Sequence, residues 1–396
     1  MKTFKKTLIS SSISALTLAS SISVQAQSMD DLIKSSSVDI SFRVRSESVD
    51  VDNDSADSAL ANTLKSRLTF KSGDVYGLSL LVEGDNTLHI TNEFYDKDGL
   101  NTDNYDVVLD QETTQLNQVY LQYNGFSSTI KAGNQRINLD NQRHVGGVGF
   151  RQDEATFDAV SITNKSIDNT TIFLATANNR NSITNDNTKE DITFLNVKYA
   201  INKDISASAY YYGIDDALKE DSGVDFDTFG IRTAGKIGDI ILEAELATQD
   251  KSNAALDTTA LYYNISIGQK IAGVTAKLGY EVFGSDDGEA AFATPLGTNH
   301  KFFGWSDKFL TGAGNNGIQD LNFSAVTKVN SIKLVAQLHK FDASEGSDDL
   351  GSEVGFVAVK KFGEFGASLK VAQYFATEET GDADITKLWL TGTAKF

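Results

Sequence analysis

From Val38 onward, apolar residues recur at every second position. Val38, Ile40, Phe42 and Val44 interleave with Asp39, Ser41, Arg43 and Arg45, and Leu60, Leu64, Leu68 and Phe70 share one face opposite Lys65, Arg67, Thr69 and Lys71. Side chains of a strand point alternately to opposite faces, so this period predicts strands; a helix would spread the same charges around its whole circumference. The device returns at Tyr76/Leu78/Leu80/Val82, Val119/Leu121/Tyr123, Ile240/Leu242/Ala244/Leu246 and Val274/Ala276/Leu278/Tyr280/Val282. It returns again at Leu321/Phe323/Ala325, Ile332/Leu334/Ala336/Leu338 and Phe365/Ala367/Leu369/Val371. Weaker segments fill 128–135, 156–163, 170–177, 191–200, 205–212, 225–235, 258–267, 353–360 and 385–396, for a total of about 18 strands.

The connections alternate in length. Short ones fall at 72–74, 124–125, 164–168, 201–203, 236–239, 268–273, 329–331 and 361–364. Long ones cover 49–58, 84–114, 137–155, 178–190, 213–223, 249–256, 283–316, 342–351 and 377–384. Short turns on one side and long loops on the other are the layout of a barrel in an outer membrane, where every backbone group must be bonded strand to strand. The expected fold is therefore an all-β, transmembrane, antiparallel up-and-down barrel, with short periplasmic turns, long extracellular loops and both termini periplasmic.

The ends of the chain support export to that compartment. Lys2, Lys5 and Lys6 precede a modestly apolar run ending in Val24-Gln25-Ala26, which reads as a signal peptide over 1–26. A short periplasmic segment over 27–36 and a single barrel domain over 37–396 follow. The final strand sets Leu388, Leu390, Gly392 and Ala394 on the face that ends in Phe396, which resembles the terminal signal read by the barrel-assembly machinery. The expected surroundings are outer-membrane lipid and lipopolysaccharide.

Composition narrows the function. A net charge of −19 excludes a basic nucleic-acid surface. With no Cys there is neither a thiol nucleophile nor a Cys metal site, and His89, His144, His300 and His339 show no ligand spacing, so neither enzyme nor cofactor is expected. Asp96-Lys97-Asp98-Gly99-Leu100-Asn101-Thr102-Asp103 spaces oxygen ligands around a glycine but lacks the closing Glu of a calcium loop. One proline, Pro295, and scattered glycines give no domain boundary.

Against the acidic whole, period-two parity turns Arg43, Arg45, Lys65 and Arg67 toward the lumen, with Lys387 joining them where the last strand closes on the first. Lys277, Lys333 and Lys370 are expected across the lumen, opposed by Glu243, Glu245 and Glu281. Aromatics at strand ends, among them Phe70, Tyr123, Phe283, Phe341 and Phe365, read as interfacial girdles. Tyr120, Tyr374 and Trp389 face inward as candidate sugar-stacking rings, and Phe194 also points inward without an evident reason.

The run Gly133-Asn134-Gln135-Arg136-Ile137-Asn138-Leu139-Asp140-Asn141-Gln142-Arg143-His144-Val145-Gly146-Gly147-Val148-Gly149-Phe150-Arg151-Gln152, with Thr156-Phe157-Asp158-Ala159-Val160 after it, resembles the alginate-export outer-membrane porin family. Leu32-Ile33-Lys34-Ser35, Phe42-Arg43-Val44-Arg45-Ser46-Glu47 and Leu64-Lys65-Ser66-Arg67-Leu68 add to the likeness. The resemblance implies a monomeric barrel of 18 strands that conducts solutes, in the type member an acidic polysaccharide leaving the cell. It also suggests that the loop carrying Arg136, Arg143 and Arg151 folds into the mouth as a constriction. The expected function is passive diffusion of hydrophilic solutes, with acidic saccharides or small anions as candidates. A closed structural or surface-attachment barrel is the alternative, and an outer-membrane hydrolase a more distant one.

Overall fold

The computed structural model describes residues 33–53, 55–91, 94–96, 104–215, 223–253 and 255–396. The signal-peptide stretch and most of the 96–103 loop lie outside the described residues. Eighteen strands of eight residues or more form the wall. The first nine are β1 (Ser37–Val51), β2 (Ala59–Lys71), β3 (Leu78–His89), β4 (Thr113–Gly125), β5 (Ser128–Gln135), β6 (Thr156–Asn164), β7 (Thr170–Asn181), β8 (Asp191–Ala200) and β9 (Ile205–Asp215). The other nine are β10 (Asp225–Ile237), β11 (Ile240–Ser252), β12 (Asp257–Ile271), β13 (Val274–Phe283), β14 (Ile318–Val329), β15 (Ile332–Ala343), β16 (Asp349–Phe362), β17 (Phe365–Phe375) and β18 (Ile385–Lys395).

Each strand pairs antiparallel with its sequence neighbours, and β18 closes on β1 from Ser41↔Lys395 to Val51↔Ile385. Beyond that ladder, the Phe396 N–H donates to Ile40 O at 2.8 Å and Phe396 O accepts from the Ile40 N–H at 3.0 Å. Closure leaves no wall strand with an unpaired edge among the described residues, which a wall in lipid requires. Outward positions such as Ile265, Leu278, Leu338 and Leu390 are exposed and apolar. Tight turns end the hairpins: Phe126 and Ser127 take φ of 51° and 55°, and Asn330 and Ser331 take 48° and 69°. Two positive φ values in succession give the type I′ twist that matches the strands on either side.

Several strands run further at the loop end than hydrophobic alternation predicts. β3 continues to His89 through a bulge between Glu83 and Gly84, and β11 continues to Ser252. Along β11 the outward positions beyond Leu246 are Thr248, Asp250 and Ser252, so the hydrophobic period fades while the ladder continues.

The described parts of loop 90–112 (L2), with loops 136–155 (L3) and 284–317 (L7), fill space inside the wall. L3 and L7 meet wall residues in one buried cluster that includes Ile137, Val145, Phe157, Phe194, Tyr262, Phe283, Phe292 and Phe341. This accounts for the inward Phe194, whose ring packs edge-on against Phe157 at 5.4 Å. It also corrects the girdle expectation for Phe283 and Phe341: both point inward and are buried, because L7 supplies an apolar surface for them.

Candidate pore and its loop plug

The basic strip on β1 and β2 faces inward, because its residues alternate with the exposed Phe42, Val44 and Leu68. Each base has a defined seat. Arg43 donates Nε to Gln152 Oε1 at 2.8 Å, Nη1 to Gly149 O at 2.9 Å and Nη2 to Arg151 O at 2.6 Å. Arg45 lies 3.5 Å from Asp110 of L2 and over the Phe150 ring. Lys65 pairs with Asp85 at 2.9 Å and donates to Gln152 O. Arg67 makes two bonds of 2.6 Å to Asp85 and meets Glu154 at 3.0 Å. Lys387 reaches Asp307 of L7 at 3.1 Å.

L3 therefore lies across the strip, and its own arginines complete the joint. Arg136 bonds Glu154 and Glu83, the latter at 3.1 Å. Arg151 joins Glu47 at 3.1 Å and Asp307 at 3.1 Å. Arg143 is fully buried; its Nε donates to Glu281 Oε1 at 2.8 Å and its guanidinium packs on Phe283, Phe302 and Phe303 at 4.4, 4.5 and 4.2 Å. A desolvated guanidinium flanked by ring faces gains from each of them.

L7 is tied down in the same manner. The Ser306 N–H donates to Glu353 at 2.9 Å, and Asp307 accepts from His300. Lys370 meets His300 Nε2 and sits 4.4 Å over Phe150, 4.2 Å over Trp305 and 4.9 Å over Trp389. Tyr374 and Trp389, candidate stacking rings, face inward but are buried under these loops, and Tyr120 is nearly so.

Charges on the loops are set by their surroundings. Burial works against the charged form of Glu154, but Arg136, Arg67 and Lys65 outweigh it and hold the carboxyl down at about 2. Burial pushes Asp153 up to about 7; Asp85 and Glu154 add to this, and Lys65 opposes it. Burial, with Lys370 and Arg151 beside it, takes His300 down to about 4.

The opposite wall forms a second group. Glu245 accepts from Tyr210 at 2.7 Å and lies 3.1 Å from His144 and 3.5 Å from Arg232. Lys277 pairs with Glu243 at 2.9 Å. Glu281 holds Arg143 and accepts from Tyr262 at 2.9 Å. Lys333 stands apart, exposed near the turn end of β15. The predicted residues are thus spread over two walls joined by L3 and L7. The acids that seat the bases, Asp85, Asp110, Glu154 and Asp307, went unnoticed in the sequence because a carboxylate in a long polar loop looks solvated. Among the described residues no group of His, Asp and Glu has the arrangement of a metal site.

L3 residues help line two cavities of different character. One of about 500 Å³ opens at the turn end and is lined by Arg43, Lys65, Arg67, Lys361 and Lys395, with Glu154 and Glu364 the only acids. Another of about 190 Å³ lies among the outer loops and touches Arg151, His300 and Asp307. Arg43 lines the first and Arg151 the second, and Arg43 Nη2 donates to Arg151 O at 2.6 Å.

A closed barrel with an apolar outer band and a charged interior, entered by loops, is the architecture of an outer-membrane porin, a passive diffusion channel for hydrophilic solutes. The model of the alginate export family matches residues 36–371, and the chain belongs to that family. Among solved structures, OccK9 (OpdG) of Pseudomonas aeruginosa is 16% identical and superposes with a TM-score of 0.69 over 92% of this chain and 100% of its own. OccAB4 of Acinetobacter baumannii is 12% identical, with a TM-score of 0.69 over 93% of this chain and 100% of its own. Pseudomonas aeruginosa OpdK, solved with vanillate, is 14% identical with a TM-score of 0.67 over 92% and 100%. No sequence match is found among curated proteins.

Proposed function

We propose that this porin favours small hydrophilic anions, acidic saccharides or carboxylates, and that L3 and L7 form its constriction. One observation carries the reading: in a chain of net charge −19, the cavity of about 500 Å³ at the turn end is lined by five bases and two acids. Inside a low-dielectric wall such an imbalance raises the local anion concentration, even where distant acidic loops are screened beyond about 8 Å at physiological salt. The family's association with alginate, an acidic polysaccharide, and the vanillate bound by OpdK are consistent with an anionic solute. The preference is mild, because Arg45, Lys65 and Arg67 already pair with acids.

The same proposal covers the chain's handling. Residues 1–26 are a cleaved signal peptide, 37–396 one barrel domain, Phe396 the contact for the assembly machinery, and the barrel works as a monomer in lipid and lipopolysaccharide. A closed, non-conducting barrel is a second reading, favoured by the complete burial of Glu47, Arg143 and Trp389 in mid-lumen. Reversal potentials under a salt gradient test the proposal: anion selectivity is expected, reduced in Arg45→Gln/Arg67→Gln, and cation selectivity in the unaltered channel would refute it.

A further inference from the structure

The cavity among the outer loops is apolar, in contrast to the charged lumen below it. It holds about 190 Å³, and carbon walls come from Leu109 of L2, Val148 of L3, Phe157 of β6, Ile183 of the 182–190 loop, and Leu296 and Leu310 of L7. Pro295 and Thr311 also border it and are exposed, so it opens to solvent there.

The polar side chains on its margin are already engaged with protein. Arg151 is held by Glu47 and Asp307, His300 by Asp307 and Lys370, and Asp307 also by Lys387. Arg180 donates Nη1 to Pro295 O at 2.7 Å and faces Glu190 at 3.4 Å; its Nε makes no bond but is fully covered, so it does not reach the cavity. Asn299 Oδ1 accepts from Thr294 Oγ1 at 2.8 Å, its Nδ2 donates to Thr294 O at 3.2 Å, and Ser182 Oγ bonds Thr184 Oγ1 at 2.8 Å.

A water held in a cavity needs two to four polar partners, and an apolar cavity of about 150 Å³ stays dry and takes up benzene instead. Here the polar partners are occupied, so water gains little by entering, whereas an apolar molecule of one ring sheds its hydration and meets carbon on several sides. A carboxylate or a sugar fits badly, because its oxygens would lose water and find no free donor among leucine, isoleucine and phenylalanine.

We infer that the outer-loop cavity is a binding site for a compact, uncharged, apolar molecule of about one ring, a ligand class different from the hydrophilic solutes proposed for the lumen. Its walls belong to L2, L3, L7 and the 182–190 loop together, so a molecule that binds only when these are docked stabilises the docked arrangement by mass action. The inference goes beyond the channel reading and does not rest on it.

The test uses the full-length protein with bromobenzene as the probe and glucose as the hydrophilic control. Diffraction at the bromine edge from soaked crystals should place a bromine between Ile183 and Leu296. For the protein in amphipol, bromobenzene should slow tryptic cleavage after the exposed Lys189 and Lys301 several-fold and saturably, and glucose should not. Ile183→Trp and Leu310→Trp fill the cavity from two different loops, and both effects should be lost in each variant that keeps the heat-dependent gel shift of the barrel. A cavity without bromine overturns the inference. So does slowing that is unsaturable or persists in the variants, which marks partition into the amphipol alone. Bromine in the cavity with no slowing in solution means binding at crystal concentration only and overturns it as well.

Discussion

Arg143 Nε donates to Glu281 Oε1 across 2.8 Å, joining residue 143 of L3 to β13 through a pair with no solvent around it. Breaking a buried pair by removing one partner typically costs about 3–5 kcal/mol, because the other charge is left uncompensated. Arg143→Ala should therefore release L3 and L7 together while the wall stays folded. Limited proteolysis checks this: new cuts are expected within 136–155 and 284–317, with the heat-dependent gel shift of the barrel unchanged.

The docking of L3 should depend on pH through two neighbouring acids with opposite shifts. Asp153 is raised from 3.8 to about 7, so its contribution to docking is complete below pH 4 and is lost as pH rises toward 7. Glu154 is lowered from 4.5 to about 2, so its contribution is present above 4.5 and is lost as pH falls toward 2. Docking is tightest near the crossover, and conductance should climb between pH 5 and 8. In Asp153→Asn that climb should vanish; its persistence would assign the pH response to other groups.

Lipid-facing and lumen-facing positions should differ sharply in their tolerance of charge. Leu278 is an exposed outward residue on β13, and Leu278→Arg should destabilise the barrel by about 2–4 kcal/mol. Thr163 lines a lumenal cavity of about 350 Å³ with Lys131, Arg136 and Lys198, and Thr163→Arg should cost well under half as much. Urea unfolding in liposomes measures both; equal costs would mean the two faces have been assigned wrongly.

Orientation is open to a direct check on whole cells. An epitope inserted after the exposed Asn315 of L7 should be bound by antibody on intact cells, and one after Asn330, in a tight turn between β14 and β15, only after the outer membrane is permeabilised. Surface labelling at Asn330 would invert the barrel.

The wall was largely legible in the sequence, since period-two parity in a lipid-facing strand is enforced at every residue: Phe42, Val44 and Leu68 are exposed while Arg45 and Lys65, of the opposite parity, are buried. The plug was legible only in part. Glycine-rich, arginine-dense L3 stood out, but the depth to which L7 enters did not, because loop conformation is set by contacts such as Arg151 to Asp307, 156 residues apart. For the same reason Phe283 and Phe341 read as girdle residues: at a strand end, lipid-facing and loop-facing aromatics have the same local pattern.

In the proposed function this barrel is an outer-membrane diffusion channel that L3 narrows from within. Single-channel conductance of the purified protein, beside a variant lacking 141–149, tests it most directly. In the structure that stretch holds Gly146 N–H on Leu296 O at 2.8 Å and Arg143 on Glu281, so its loss should widen the lumen. Discrete openings are expected in the full chain, with a larger unit conductance and looser size exclusion in the deletion. A correctly folded full chain and deletion variant that both fail to conduct, or that conduct identically, would contradict it.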